Sequence, residues 1–380
     1  MIMAYLIVIT TLLTLILVTM TIRLRRALRR FRIKKNYTAA IEAPSVSVCI
    51  PARNETHAMT QCLERVLASD YRKLEVVVYD DSSTDDTSIL VRSFAHAGVR
   101  FVPGDPLPDG WLGKNYALDI LAREASGTYV IFMDVDTFIK PTTISQLVGY
   151  MMTENLTMSS VIPGRSDAWR VSVLFGHLRY FWEVIMSRMS APATSSSLWM
   201  IKRHELIDTL GGFAPHKNEV EPEEHIASII STNAYHCLID NQTLGVTYEK
   251  KWSSQAETSR RLLFPMVGGS WYGALIGFAV LLILNLPFLI VLSSLFTGWM
   301  IVQTAAFWMM TLFMGLYAMY TSVLWTQGWW MGGLLWPVVV MQELALFVWS
   351  VWSYNRRSVT WKGRSVTTSP VRTDLPELNK

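Results

Sequence analysis

Two aspartates one residue apart, Asp134 and Asp136, close the apolar run Tyr129–Met133. If that run is a strand, its period of two sends alternate side chains to one side, so both carboxylates can face a single cation. Paired hard oxygen ligands suit Mg2+ or Mn2+ holding a diphosphate, and no His/Cys set suggests zinc instead. Such a cation neutralises the charge that develops on a departing nucleoside diphosphate. Polar clusters follow two other apolar runs. Pro51-Ala52-Arg53-Asn54-Glu55 comes after Ser45–Ile50, and Asp80-Asp81-Ser82-Ser83-Thr84-Asp85-Asp86 after Leu74–Tyr79. Arg53, Glu55 and either Asp80 or Asp81 are suited to exchange hydrogen bonds with a base and a ribose. A fourth cluster, Pro108 to Asn115, sets Gly110 and Gly113 around Trp111, and its Lys114 opens a helix whose N-terminus favours phosphate. The fifth is Glu221-Pro222-Glu223-Glu224-His225. Acids at a helix start complement its dipole, but an acceptor hydroxyl also needs a base, and crowded carboxylates have raised pKa values.

These clusters require elements that bring them together. The three apolar runs are predicted strands, separated by helical patterns at about 57–69, 86–97 and 114–125. Strands alternating with helices imply βαβ units and a mostly parallel sheet, whose ligands bind beyond the C-terminal strand ends. Three polar clusters at three successive strand ends fit that rule better than three unrelated caps. No GxGxxG follows the first strand and no GxxxxGK[ST] occurs, which disfavours a dinucleotide cofactor and a P-loop.

The 380 residues are 51% hydrophobic and only 17% charged, too apolar for a disordered chain. The net charge of +4 depends on one run, Arg23 to Lys35, without which the remainder is acidic; nucleic-acid binding is therefore not expected. Cys49, Cys62 and Cys237 lack metal-ligand spacing and read as reduced thiols. Met1–Ile22 carries no charge and is long enough to span a bilayer. The basic run after it orients the following chain to the cytoplasm. Leu24, Leu28 and Phe31 recur there at helical spacing among arginines, which predicts an interfacial helix against anionic phospholipid. Between Leu262 and Asn355 the single charge is Glu343, and nine of fifteen tryptophans fall there. Spans are expected at about 271–293, 297–321 and 331–353, with breaks at Asn285 and Pro287 or at Gly332, Gly333 and Pro337. Three crossings would leave Arg356, Arg357, Lys362 and Arg364 outside, against the positive-inside rule; two crossings and a re-entrant segment would return them, and a cytoplasmic tail is expected. Glu343 is either a functional intramembrane carboxylate or a residue that reaches water near a helix end. The expected organisation is a membrane helix at 1–22, a basic linker at 23–43, a cytoplasmic α/β domain at 44–260, a membrane region at 261–354 and a basic tail at 355–380. The chain is thus expected to be a multi-pass protein of the cell membrane.

At the Pro-x-Arg-Asn-Glu strand end, Asp80-Asp81-Ser-Ser-Thr-Asp85 and Asp134-x-Asp136, the sequence resembles the family 2 glycosyltransferases of GT-A fold, over roughly residues 44–230. Gly110-Trp-Leu-Gly-Lys114-x-x-Ala117 and the tail Val359-Thr-Trp-Lys-Gly-Arg364 resemble a membrane-bound subgroup. That subgroup contains carotenoid (diaponeurosporenoate-type) and hopanoid glycosyltransferases and is related to ceramide glucosyltransferase. The resemblance implies inverting transfer of one sugar from a UDP-sugar to a lipid hydroxyl or carboxyl. It implies a donor set of Pro51, Arg53, Glu55, Asp80, Asp81, Lys114 and Asp134, with Arg53, Glu55 and Asp81 on the uridine. Asp136, helped by Asp134, would hold Mg2+ or Mn2+ and the diphosphate. Glu224 stands where the family has the Asp of its Glu-Asp base motif, so Glu224 or Glu223 would be the base. The Gln-x-x-Arg-Trp motif of processive synthases is replaced by Gln255-Ala-Glu-Thr-Ser-Arg260-Arg261, from which Arg260 or Arg261 would reach the diphosphate. Three alternatives are a polyprenyl-phosphate glycosyltransferase, a processive polysaccharide synthase and a non-catalytic nucleotide-sugar-binding membrane protein. The aromatic stretch Trp169, Phe175, Tyr180, Phe181 and Trp182 is a candidate amphipathic element at the bilayer.

Overall fold

The structure, a computed structural model, describes residues 2–33, 37, 43–165, 178–187, 192–230, 233–240, 243–249, 252–297, 300–325, 328–361 and 364–365. The first three strands along the chain are β1 (Val46–Ala52), β2 (Leu74–Asp80) and β3 (Val99–Pro103), and β4 spans Tyr129–Met133. They are built from branched and aromatic residues that alternate between two faces. Cys49, Val77, Val130 and Phe132 enter one apolar core, while Val48, Ile50, Val76, Val78 and Ile131 enter a second core across the sheet. The sheet is completed by β6 (Met158–Ile162), β8 (Leu198–Lys202) and β9 (Tyr235–Ile239), in the order β3-β2-β1-β4-β8-β6-β9. Only β8 of the seven runs against the rest. Chain order reverses beside β1: β2 and β3 lie on one flank, β4 on the other. The crevice beyond the ends of β1 and β4 is therefore a topological switch point, where open α/β sheets bind ligands.

Helix α2 (Thr56–Leu67), α3 (Thr87–Ser93) and α4 (Gly113–Glu124) connect the parallel strands. Next come the short β5 (Thr137–Phe138), α5 (Thr143–Thr153), the short β7 (Gly164–Arg165), α6 (Arg179–Met186) and α7 (Pro222–Ile229). A small sheet pairs β5 and β7 through β10 (Thr247–Tyr248).

Among the described residues four helices are long and apolar enough to cross a membrane: Val8–Arg30 within α1 (Ile2–Arg30), Trp271–Ser293 within α9 (Trp271–Thr297), α10 (Met300–Leu324) and α12 (Trp336–Asn355). Before α9 lies α8 (Trp252–Met266), and the one-and-a-half-turn α11 (Trp329–Leu334) precedes α12. The first apolar segment stays helical through Asn285 and Pro287. The last is broken at Leu335, where Gly332 and Gly333 lie against Thr321 and the Met314 carbonyl, positions at which a Cβ would stand 2.8 and 2.7 Å from those neighbours.

Two expectations are corrected here. The N-terminal helix does not end at residue 22 but continues unbroken through the basic run to Arg30. Leu24, Leu28 and Phe31, expected against lipid, are buried in the protein's own core, leaving Arg23, Arg25, Arg26 and Arg29 exposed. Beyond α1 the Phe31 carbonyl accepts a 2.9 Å hydrogen bond from the Ile239 amide, so the chain lies along the outer edge of β9. Phe181 of α6 is fully buried among the rings of Tyr317, Tyr320 and Trp336 at 5.4–5.8 Å, joining the α/β core to the apolar helices. Trp169 and Phe175 lie outside the described residues. The three cysteines are buried free thiols.

Candidate active site

The strand-end loops after β1 and β2 are knitted into one unit. The Ala52 carbonyl accepts from the Asp81 amide at 2.8 Å, so the alternate residue Pro51 faces the β4 flank, where pairing has already ended at Cys49. A proline without an N–H is therefore tolerated in a central strand. Asn54 and Ser82 both take positive φ, 54° and 53°, conformations in which asparagine is at home and a branched residue is not. Asn54 reaches across to its neighbours: its N–H donates to Ser83 Oγ at 2.9 Å, and its Oδ1 accepts from the Thr84 N–H at 2.9 Å. The Glu55 N–H donates to Thr87 Oγ1 at 2.8 Å, and the Thr56 hydroxyl donates to Asp85 Oδ2 at 2.6 Å. Burial pushes the Asp85 carboxyl up, but hydrogen bonds from Thr56 and Thr87 outweigh it and hold the pKa at about 2.

Within this unit the two aspartates diverge. Asp80 is consumed by its own loop, accepting from the Ser83 N–H at 3.2 Å and from the Ser83 and Ser88 hydroxyls. Asp81, also buried, lies 3.7 Å from Arg53, whose Nη1 donates to the Asp81 carbonyl and at 3.3 Å to the Ser82 carbonyl. Gly104 closes the floor: a Cβ there would stand 2.3 Å from the Asp80 carbonyl oxygen.

After β4, the buried Val135 separates half-buried Asp134 and Asp136, the alternation expected if both acids face one side. Asp134 Oδ1 pairs with Lys114 Nζ at 2.7 Å, so the helix carrying Lys114 is anchored directly to the acidic strand end. The fields of Asp136, Glu55 and Asp134 reach Cys62 beneath the loops and, after burial itself, help to push its thiol up. No group of three or more acids, histidines or cysteines arranged to hold a metal ion occurs among the described residues. Two carboxylates suffice where a substrate diphosphate and waters complete an octahedron, so Asp134 and Asp136 fit Mg2+ or Mn2+ as a cation arriving with its nucleotide.

The acid-rich helix is tied to the same place by a residue the sequence reading passed over. Asn115, buried at the first turn of α4, directs its amide Nδ2 at the carbonyls of His216, Lys217 and Glu219, at 2.9, 3.2 and 2.8 Å. The Leu112 amide adds a bond to the Lys217 carbonyl at 2.8 Å. One turn on, Asp119 accepts from the Phe213 N–H at 2.9 Å, beside Gly212 at φ +73°. The loop from 212 to 219 is thus fastened to α4 just before α7 delivers Glu221, Glu223 and Glu224.

The structure separates the two candidate bases. Glu223 is buried towards Tyr235, whereas half-buried Glu224 lines a cavity of about 660 Å3. The same cavity is lined by Leu263 of α8, Ile276 and Leu281 of α9, and Phe347 of α12. Trp182 of α6 lines it as well. Arg260 is engaged elsewhere: its guanidinium lies 5.3 Å from the Trp349 ring centre and donates to the Ser358 carbonyl. The Arg260 and Arg261 carbonyls accept from Ser350 and Tyr354, docking α8 on α12.

Residues 47–195 match the family model described as Glycosyl transferase family 2. Over 114 residues the chain is 30% identical to UDP-Glc:alpha-D-GlcNAc-diphosphoundecaprenol beta-1,3-glucosyltransferase WfaP of Escherichia coli, 30% of this chain and 44% of that one. It is 37% identical over 92 residues to 4,4'-diaponeurosporenoate glycosyltransferase of Staphylococcus haemolyticus, 24% of each. The chain therefore spans less than half the length of these curated relatives. Among solved structures it resembles mannosyltransferase PcManGT from Pyrobaculum calidifontis, in complex with GDP-Man and Mn2+, with a TM-score of 0.55 and 20% identity over 92% of this chain and 99% of that one. Sheet order, strand-end acids and family match agree: residues 47–195 belong to glycosyltransferase family 2, within a domain of GT-A fold.

Proposed function

We propose that the protein moves one sugar from a UDP-sugar to a membrane lipid, inverting the anomeric centre. The observation that carries this reading is one cavity lined both by Glu224 and by residues of the apolar helices α9 and α12. A soluble donor held at the sheet's switch point and an acceptor delivered from the bilayer would meet there. Relatives whose names specify UDP-Glc and diphosphoundecaprenol, or diaponeurosporenoate, support a UDP-sugar donor and, at the level of class only, a lipid acceptor. Arg53, Glu55 and Asp81 would hold the uridine, and Lys114 the diphosphate. Asp136 and Asp134 would hold Mg2+ or Mn2+, which when bound stabilises the negative charge of the leaving nucleotide. Glu224 takes the proton from the acceptor O–H as that oxygen bonds to the anomeric carbon; the carbon–oxygen bond to the diphosphate breaks, and its electron pair leaves with UDP.

A second reading has a lipid diphosphate acceptor, as in the Escherichia coli relative's name. Glu183 and Glu224 both line the cavity, and their carboxylates make it a poor seat for a phosphate. The test incubates membranes containing the protein with a panel of UDP-sugars and Mn2+ or Mg2+, then identifies the glycosylated lipid by mass spectrometry. A neutral glycolipid that disappears with Asp136→Ala and with chelator is expected. Polymer, lipid-diphosphate sugars alone, or no transfer with any donor would refute the proposal.

A further inference from the structure

Glu343 sits midway along α12 and is the only charged residue between Leu262 and Asn355, yet it is 1% exposed. It does not reach water at a helix end. It lines the same cavity as Glu224, among Ile276, Val280, Leu281 and Phe347. The Leu178 backbone N–H lies near it, but neither carboxyl oxygen has a hydrogen bond of acceptable geometry among the described residues. Burying a carboxyl group costs several kcal/mol unless it is partnered, and an apolar side chain would fill this position without that cost. A carboxyl group that lines an apolar cavity with no hydrogen-bond partner of its own is complementary to a hydrogen-bond donor on whatever fills the cavity. Small residues keep the space open: Gly273 and Gly277 line it, and a Cβ at Gly277 would stand 2.8 Å from the Phe347 ring.

We infer that Glu343 is a specificity-determining residue for the acceptor: it receives a hydrogen bond from a second hydroxyl or an amine on a lipid whose first hydroxyl is presented to Glu224. This rests on the lipid-glycosyltransferase reading of the site. It narrows the acceptor from any membrane lipid to one with two donor groups at its polar end. Glu183 and Glu224, which line the same cavity, also select against an acceptor carboxylate or phosphate by repulsion.

The test needs no sugar donor, metal or turnover, so its outcome is separable from that of the transfer assay. The full chain in detergent micelles is titrated with 1-dodecanol, 1,2-dodecanediol, 2-amino-1-dodecanol and dodecanoate, each displacing a fluorescent fatty alcohol. The diol or the amino alcohol is expected to bind about tenfold tighter than dodecanol, equivalent to about 1.4 kcal/mol. Whichever of the two leads identifies the second group as hydroxyl or amine. Dodecanoate should bind weakest. Glu343→Leu should abolish the preference without weakening dodecanol. The near-isosteric Glu343→Gln should keep a diol preference but lose any advantage of the amine. Equal affinities in the native protein, a preference that survives Glu343→Leu, or dodecanoate binding as tightly as the diol would each overturn the inference. Should Glu343→Leu not fold, an amino-alcohol advantage undiminished in Glu343→Gln, or a diol preference lost in it, would overturn it too.

Discussion

Asn115→Ala isolates the coupling between the donor helix and the acid-rich helix. The native amide has two hydrogens shared among three carbonyls, all within 3.2 Å. Removing it leaves those carbonyls short of a donor at a buried position. The Lys217 and His216 carbonyls keep bonds from the Leu112 and Glu219 amides, so the Glu219 oxygen bears most of the loss. Leaving that acceptor without its donor should destabilise the protein by about 1–3 kcal/mol, lowering Tm by a few degrees. The consequence for activity is more specific. Held to α4 only by the Leu112 and Asp119 bonds, the 212–219 loop fixes less firmly where α7 begins, and a small displacement of a base is costly in kcat. Lys114 and the loops after β1 and β2 are held by other contacts, so donor KM should change little. Thermal unfolding in detergent gives the first quantity, and transfer rates at saturating and limiting donor give the second. Asn115→Asp, which presents an anion to the same carbonyls, should be worse than alanine. An Asn115→Ala protein with native Tm and native kcat, or a well-tolerated Asn115→Asp, would refute the argument.

Glu224→Gln should lower kcat by about 10²–10⁴-fold with little change in Tm, while buried Glu223→Gln should register mainly in Tm; transfer assays and melting curves on both variants distinguish them. Gly104→Ala forces a methyl group into the Asp80 carbonyl and should cost about 1–3 kcal/mol of stability in denaturant titrations, with donor affinity falling as the Asp80–Asp81 loop shifts. Because the Asp85 pKa is depressed to about 2 in the folded protein, its stabilising effect is complete above the unfolded carboxylate pKa of about 4 and is lost as pH falls through about 2. The stability gap between native protein and Asp85→Asn should therefore be constant at pH 5–7 and close between pH 4 and pH 2; because Asp85 is exposed the gap should be small, and one that widens on acidification would contradict the hydrogen-bond assignment.

Much of this was legible in the sequence, for identifiable reasons. Period-two apolar runs ending in polar clusters located β1, β2 and β4 and the residues at their ends, because strand pattern and turn chemistry are both local signals. What local signals do not carry is which of several similar side chains a distant partner will claim. Asp80 and Asp81 are adjacent, yet one is taken by serines of its own loop and the other meets Arg53. Glu223 and Glu224 are adjacent, yet a helix turns one into the core and the other towards the cavity. Asn115 looked like an ordinary first-turn residue because its partners lie more than a hundred residues downstream. The basic run misled for a related reason. Leucines spaced on one helical face signal burial, but not whether lipid or protein supplies the covering surface.

The Phe31–Ile239 hydrogen bond gives the sheet a hinge-free mooring. With α1 fastened along one rim and α8 seated on α12 near the other end of the chain, the sheet layer of the proposed lipid glycosyltransferase would not swing over the bilayer as a domain on a flexible stalk does. Its reach into the lipid would be set by helix length and not by linker length. Lengthening the segment between α1 and β1 should therefore leave the depth at which substrates are met unchanged, whereas inserting a turn into α1 before Leu24 should tilt or strip away the whole layer.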